Sequence, residues 1–138
     1  MRIREMTMDD YEGTHKLWSD MPGVRLNPPD DSKEGIGRYL RRNPGMSFVA
    51  EEGGEIVGTI LSGHDGRRGY IYHAAVRASD RTRGIGSGLL DRALAALKAE
   101  GISRVALVAF KDNEVGNAFW EKRGFETRED LNYRNKDI

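Results

Sequence analysis

Between the strand-like stretch Tyr70–Val76 and an amphipathic run reaching about Glu100, the chain reads Arg81-Thr82-Arg83-Gly84-Ile85-Gly86-Ser87-Gly88-Leu89-Leu90. Strand, glycine-rich turn and helix in that order are shared by several nucleotide-binding folds. Glycines let a turn bring its backbone close to a ligand, and a helix starting there aims unpaired N–H groups and its positive dipole end at anions. Arg81 and Arg83 add charge where phosphates would lie. The segment therefore predicts a phosphate cradle, against the plain alternative of a glycine-rich helix start with no ligand. Spacing excludes two rivals. A P-loop needs Gly-Lys before Ser or Thr, and the lysine is absent; a dinucleotide turn needs G-x-G-x-x-G, whereas Gly84, Gly86 and Gly88 give G-x-G-x-G.

The rest of the chain supplies a sheet and its helices. Arg2–Met6 alternates like a short strand, and Thr7 caps a helix through about Ser19, with Asp9 and Asp10 favouring its first turn and Tyr11, Leu17 and Trp18 packing. Pro22-Gly23 and Asn27-Pro28-Pro29 break the chain. A second helix starts at Asp30, Asp31 or Ser32 and ends before Pro44-Gly45, weakened by Gly35 and Gly37. Phe48–Ala50 and Ile56–Leu61 read as strands around a Glu52-Gly53-Gly54-Glu55 turn. Asp65–Gly69 turns into Tyr70–Val76. Ile85, Leu89, Leu90, Ala93, Leu94 and Leu97 then recur at helical spacing, with Gly101 as the stop. Val105–Phe110 reads as a further strand, followed by a helix from Asn113 and a final strand pair. At 138 residues, the sequence suits one domain spanning 1–138.

A second motif narrows the family. Arg81-x-x-Gly84-x-Gly86, then a helix, a strand and Asn113…Ala118-Phe119-Trp120-Glu121-Lys122-x-Gly124-Phe125 resembles the GCN5-related N-acetyltransferases, the GNAT superfamily. The resemblance covers about residues 1 to 133 and is strongest from Tyr70 to Phe125. It implies an α/β fold with a central mixed, mostly antiparallel sheet, splayed middle strands and about four helices. It implies acetyl-CoA as cosubstrate and no metal. In that family the strands matching Tyr70–Val76 and Val105–Phe110 part, and the pantetheine arm pairs with backbone matching Ala74, Ala75 and Val76. Backbone of Thr82, Arg83, Gly84, Ile85, Gly86 and Ser87 would hold the pyrophosphate, with Arg81 opening the motif. Asn113 matches an asparagine near the cofactor, and reads equally as a helix N-cap.

Amine attack on a thioester sets the demands on the site. A lysine-like amine with pKa ~10.4 costs roughly 4–5 kcal/mol to deprotonate at pH 7, an α-amine near ~8 only about 1, and a thiol near ~8.5 roughly 2 to release as thiolate. Trp120 stands where the family often has a tyrosine acid, and an indole N–H is far too weak an acid; Trp120 is read as a packing and hydrogen-bonding contact to the cofactor, or as a core anchor of its helix. The strand Tyr70–Val76 carries no carboxylate where many relatives place a glutamate, so His73 is the best substitute base, against the plain alternative of a structural strand histidine. Strand alternation puts His73 and Ala75 on one face, Tyr72 and Ala74 on the other. Tyr72 is a candidate to orient water or donate to the leaving sulfur, and Tyr133, in the last strand, for the same work.

The acceptor should meet the first two helices and their loop, where charges are mixed. Asp20, Asp30, Asp31 and Glu34 suit a cationic amine and Arg25, Arg38, Arg41 and Arg42 a carboxylate or acidic peptide; taken singly, each reads as a solvated surface charge. Absence of cysteine excludes disulfides, cysteine zinc sites and an acetyl-cysteine intermediate, so transfer is direct, in a ternary complex. Lys plus Arg and Asp plus Glu both total 22, which gives no support to nucleic-acid or membrane binding. The start Met1–Met6 lacks an apolar signal core, so the expected location is cytoplasmic. Many relatives dimerise, but no interface stripe stands out. The expected activity is acetyl-CoA-dependent N-acetylation of a primary amine. A catalytically weak acetyl-CoA-binding sensor or partner module, and an anion-binding domain for another nucleotide, are the alternatives.

Overall fold

In the computed structural model, which describes residues 1–138, five strands form one sheet ordered β1-β2-β3-β4-β5: β1 Arg2–Glu5, β2 Phe48–Glu52, β3 Glu55–His64, β4 Gly69–Val76 and β5 Val105–Ala106. The first four are antiparallel, and β5 runs parallel to β4. A parallel neighbour needs a crossover, which is the helix α4, Ile85–Ala99. The mixed, mostly antiparallel sheet is thus the one expected. The chain divides into two compact units, residues 1–108 and 109–138.

Within the first unit, each face of the sheet carries helices. On one lie α1 (Tyr11–Ser19), the single turn α2 (Pro28–Asp31) and α3 (Lys33–Arg42). Tyr11, Leu17 and Trp18 of α1 join Ile36, Val49, Leu61 and Ala75 in one buried cluster, as their apolar spacing predicts. α4 covers the other face, burying Ile85, Leu89, Leu90, Ala93 and Leu97. The last glycine of the expected cradle belongs to this packing: a Cβ on Gly88 would stand 2.7 Å from Ile3 Cδ1. Gly35, read from sequence as a weak point of its helix, is similarly a site of close approach, since a Cβ there would stand 2.4 Å from the Pro29 carbonyl oxygen.

Several boundaries differ from expectation: β3 runs on to His64, past the expected Leu61, and Pro28–Asp31 is a helical turn where a break was expected. The Val105–Phe110 stretch forms a ladder only at Gly69↔Val105 and Tyr70↔Ala106. The first helix is preceded by a 3₁₀ turn, Met8–Asp10, because the Asp10 carboxylate accepts the Thr7 N–H (2.9 Å) and also grips Arg4 (2.7 and 2.9 Å).

The second unit contains α5, Glu114–Lys122. Asn113 Oδ1 caps it, accepting the Gly116 N–H at 3.0 Å. The Trp120 ring meets Phe119 and Phe125 edge-on at 5.0 and 5.2 Å. The expected final strand pair does not form. From Arg123 onward the chain is turns and irregular backbone; Leu131 and Tyr133 are exposed apolar side chains isolated among charged residues, and Arg128 folds back on Asp130 (2.8 and 2.9 Å). With so little to bury, nothing drives a ladder there. Tyr133 therefore lies in irregular chain, 69% exposed.

Candidate active site

The turn between β4 and α4 is built from local backbone chemistry. Gly84 is the N-cap of α4 in the left-handed region (φ 80°), and a Cβ added to it would find no atom within 4 Å. The first bond across that boundary is Gly88 N–H to Gly84 O, 3.0 Å, so the amides of Ile85, Gly86 and Ser87 have no intrahelical acceptor. Thr82 is also left-handed, φ 68°. The result is an open run of N–H groups at the positive end of a four-turn helix, suited to an anionic group.

The arginines around that turn take roles that spacing did not reveal. Arg83 is held by Glu52 (2.7 and 2.9 Å) and by Asp80 (2.7 Å), so its guanidinium is anchored to the β2–β3 hairpin. Arg77 holds the other oxygen of Asp80 (2.6 Å) and Glu55 (2.7 Å). Asp80 is thereby the hub of a clamp that ties the turn to the sheet. The Arg77 guanidinium, aided by Ser79 and Arg83 against the cost of burial, holds the Asp80 carboxyl below the usual carboxylate range. Arg81 Nε donates to the Val76 carbonyl at 3.2 Å, and the rest of its guanidinium is exposed apart from a contact to Met21 Sδ. No sequence signal marks Asp80 beyond its place in Arg77-x-x-Asp80-x-x-Arg83, an i, i+3 spacing that a helical turn turns into ion pairs.

β4 departs from regular alternation. Opposite it, Thr59 pairs with Ala75 and Leu61 with Tyr72, so Ile60 faces two residues, His73 and Ala74. This is a β-bulge, and His73 sits in it at φ 44°. Strict alternation would send Tyr72 and His73 to opposite faces. Instead the Tyr72 ring packs edge-on against Tyr39 of α3 (5.8 Å) while the His73 ring lies 4.7 Å from Trp18 of α1, both on the face of α1 to α3. Extra backbone at the bulge rotates His73 round to join them. Its carbonyl accepts the Thr59 hydroxyl (2.8 Å), which in turn accepts the Trp18 indole N–H (2.9 Å). A non-glycine residue at positive φ costs on the order of 1–3 kcal/mol and persists where surroundings over-determine it, as these contacts do.

Sequence reading missed the partner of that histidine. Asp31, read as a surface charge, is 7% exposed, with Oδ1 2.6 Å from His73 Nε2. Ala74 is exposed, Ala75 is buried and Val76 half-buried, and beyond Tyr70 the β4 edge has no ladder partner in β5. Tyr72 is 45% exposed and stacks on Tyr70 at 4.7 Å. Asn113 and the half-buried Trp120 belong to the second unit, the former as a helix cap.

A mixed sheet in which β4 runs on past its two-residue pairing with β5, with a glycine turn and open helix amides at its end, defines an α/β fold suited to holding an anionic ligand. The model of the acetyltransferase (GNAT) family matches residues 4–125, and the chain belongs to that family. An acetyltransferase of Pectobacterium atrosepticum is 36% identical over 92% of this chain and 89% of its own. Another, from Photorhabdus laumondii, is 38% identical over 93% and 88%. Among solved structures, the PaiA N-acetyltransferase of Thermoplasma acidophilum in complex with coenzyme A superposes with a TM-score of 0.81 at 19% identity, covering 93% of this chain and 91% of that one. A predicted acetyltransferase of Clostridium acetobutylicum with acetyl-CoA gives 0.74 at 21% identity, covering 97% and 95%. The protein is accordingly an acyltransferase.

Proposed function

We propose that this enzyme moves the acetyl group of acetyl-CoA to a primary amine, of a small molecule or of a protein or peptide N-terminus, by direct attack in a ternary complex. The observation that carries the reading is the set of amides at Ile85, Gly86 and Ser87 behind the left-handed Gly84, without intrahelical acceptors. Coenzyme A and acetyl-CoA in two of the matched structures support the choice of cosubstrate. In this reading backbone from Thr82 to Ser87 takes the pyrophosphate, Arg81 supplies its charge, and Arg83 contributes through its backbone because its side chain is committed to Glu52 and Asp80. Ala74, Ala75 and Val76 take the pantetheine, and Asn113 and Trp120 are further cofactor contacts. His73 accepts the proton of the attacking amine. The N–C bond forms, the C–S bond breaks, and sulfur leaves as thiolate, to be protonated by water or by a tyrosine, Tyr72 or Tyr133. Residues 1–138 act as one domain, in the cytoplasm, without a metal.

Calorimetric titration of the full chain with acetyl-CoA tests this, with Gly84→Glu and Gly88→Ala as variants. Glutamate at position 84 puts a bulky negative side chain in the cradle, whereas alanine at position 88 displaces only the tip of Ile3. Micromolar binding that disappears in the first variant and survives in the second supports the reading, and no binding by folded wild type overturns it. Coenzyme A release with an amine then separates an enzyme from a catalytically weak acetyl-CoA-binding module, which would bind without turnover across a broad amine panel.

A further inference from the structure

Asp31 sits at the end of the single turn α2, a segment short enough to be set entirely by its contacts. Those contacts are unusually complete. Its N–H donates to the Asn27 carbonyl (2.8 Å), its own carbonyl accepts the Tyr11 hydroxyl (2.7 Å), and Oδ2 accepts the Asn27 N–H (2.7 Å). One oxygen, Oδ1, is left to point at β4, where it meets His73 Nε2 at 2.6 Å. The imidazole is equally constrained, by its bulge conformation, by the Thr59 hydroxyl on its carbonyl and by the Trp18 ring. From the elements packed round it, α2 presents Asp31, α1 presents Trp18 and, through the Asp31 carbonyl, Tyr11, and β3 presents Thr59.

Two consequences follow from elementary hydrogen-bond chemistry. A carboxylate only accepts, so a neutral imidazole must place its proton on Nε2 and its lone pair on Nδ1. No buried side-chain nitrogen or oxygen lacks a partner, and the ring's polar partner is Asp31 on Nε2, so Nδ1 is not a sealed atom; the His73 side chain is 16% exposed. The basic atom is thus defined and not closed off from solvent. When Nδ1 gains a proton, the imidazolium faces an anion 2.6 Å away that has already been desolvated and oriented.

The geometry points to Asp31 as the positioning residue of His73: it selects the tautomer in which Nδ1 is the atom that takes the proton from the acceptor amine. The inference rests on the reading of His73 as base and adds the residue that makes it one. A carboxylate holding the far nitrogen of a histidine is the arrangement by which a general base is oriented in hydrolases. It also joins the loop expected to meet the acceptor to the strand expected to carry the chemistry.

Asp31→Asn is the discriminating variant. An asparagine of the same shape keeps the tie between α2 and β4 but donates to Nε2, which forces the proton onto Nδ1. Long-range ¹H–¹⁵N spectra of the full chain read the His73 tautomer directly. Carbethoxylation by diethyl pyrocarbonate, located by peptide mass spectrometry, reads whether Nδ1 is nucleophilic and reachable. Wild type should show Nε2–H and modification of His73; the variant should show Nδ1–H, modification at least ~10-fold slower, and unchanged acetyl-CoA binding. With alanine amide as acceptor, coenzyme A release should fall by about 10²-fold or more in kcat, in the range of a lost general base. An Nδ1–H tautomer or an unreactive His73 in wild type, which needs no variant to fold, overturns the proposal, as does wild-type turnover in a variant whose tautomer has flipped. Failure of wild type to bind acetyl-CoA would sink the functional reading instead, leaving the tautomer result to stand alone.

Discussion

Thr59→Val cuts the chain of hydrogen bonds that holds the His73 bulge. Thr59 and Trp18 are both 0% exposed, and the Thr59 hydroxyl accepts the indole N–H at 2.9 Å while donating to the His73 carbonyl at 2.8 Å. Valine has nearly the same shape and the same stiff branching, so it leaves no cavity. What it removes is polar partnership. The indole N–H is left buried with no acceptor, which costs about 1–3 kcal/mol, and the half-buried carbonyl loses a bond worth about 1. Burying a methyl in place of the hydroxyl returns somewhat under 1 kcal/mol. The net loss is about 1–3 kcal/mol, which for a chain of this length lowers the melting temperature by roughly 3–9 °C. Urea unfolding followed by circular dichroism measures it. Thr59→Ser is the control, keeping the hydroxyl and deleting one methyl for about 1 kcal/mol. If Thr59→Val loses less than ~0.5 kcal/mol, or less than Thr59→Ser, the bridging hydroxyl is not what secures the bulge.

Two further variants test how the helical face is anchored. Asp10 is buried, which by itself would raise its pKa, but the Arg4 hydrogen bonds and the Thr7 N–H outweigh burial and lower it. A carboxyl depressed in the folded state contributes stability that is present above its unfolded pKa of ~3.9 and is lost as pH falls through the folded value. Unfolding free energies measured from pH 7 to 3 should therefore drop below about pH 4 in wild type, and drop less in Asp10→Asn, which starts from a lower value at pH 7. Gly35→Ala should destabilise by about 2–3 kcal/mol in spite of alanine's better helix propensity, because the new Cβ meets the Pro29 and Asp30 carbonyl oxygens at 2.4 and 2.5 Å and those backbone atoms must move. A thermal melt at or above the wild-type value would show that the turn yields without cost.

How much was legible in the sequence divides by distance along the chain. The hairpin at Gly53-Gly54, the stop at Gly101 and the apolar stripe of α4 are set by residues within a turn or two, and each appears where it was read. The final strands failed because the last residues offer too few apolar side chains to bury, Leu131 and Tyr133 both being exposed. Alternation misled more sharply at β4: one extra residue opposite Ile60 puts Tyr72 and His73 on one face, and no residue type in Tyr72-His73-Ala74 announces a bulge.

Sequence by itself determined the open start of α4 and the family, because such a start is one turn of backbone: a glycine that accepts positive φ and three amides that precede the first helical bond. Only the tertiary structure decided which charges are paired and with what partner. Arg83 reaches Glu52 across 31 positions, and Asp31 reaches His73 across 42. A charged side chain takes its role from the opposite charge that folding brings within ~4 Å, and that neighbour is set by sheet register and the placing of α2, not by local sequence.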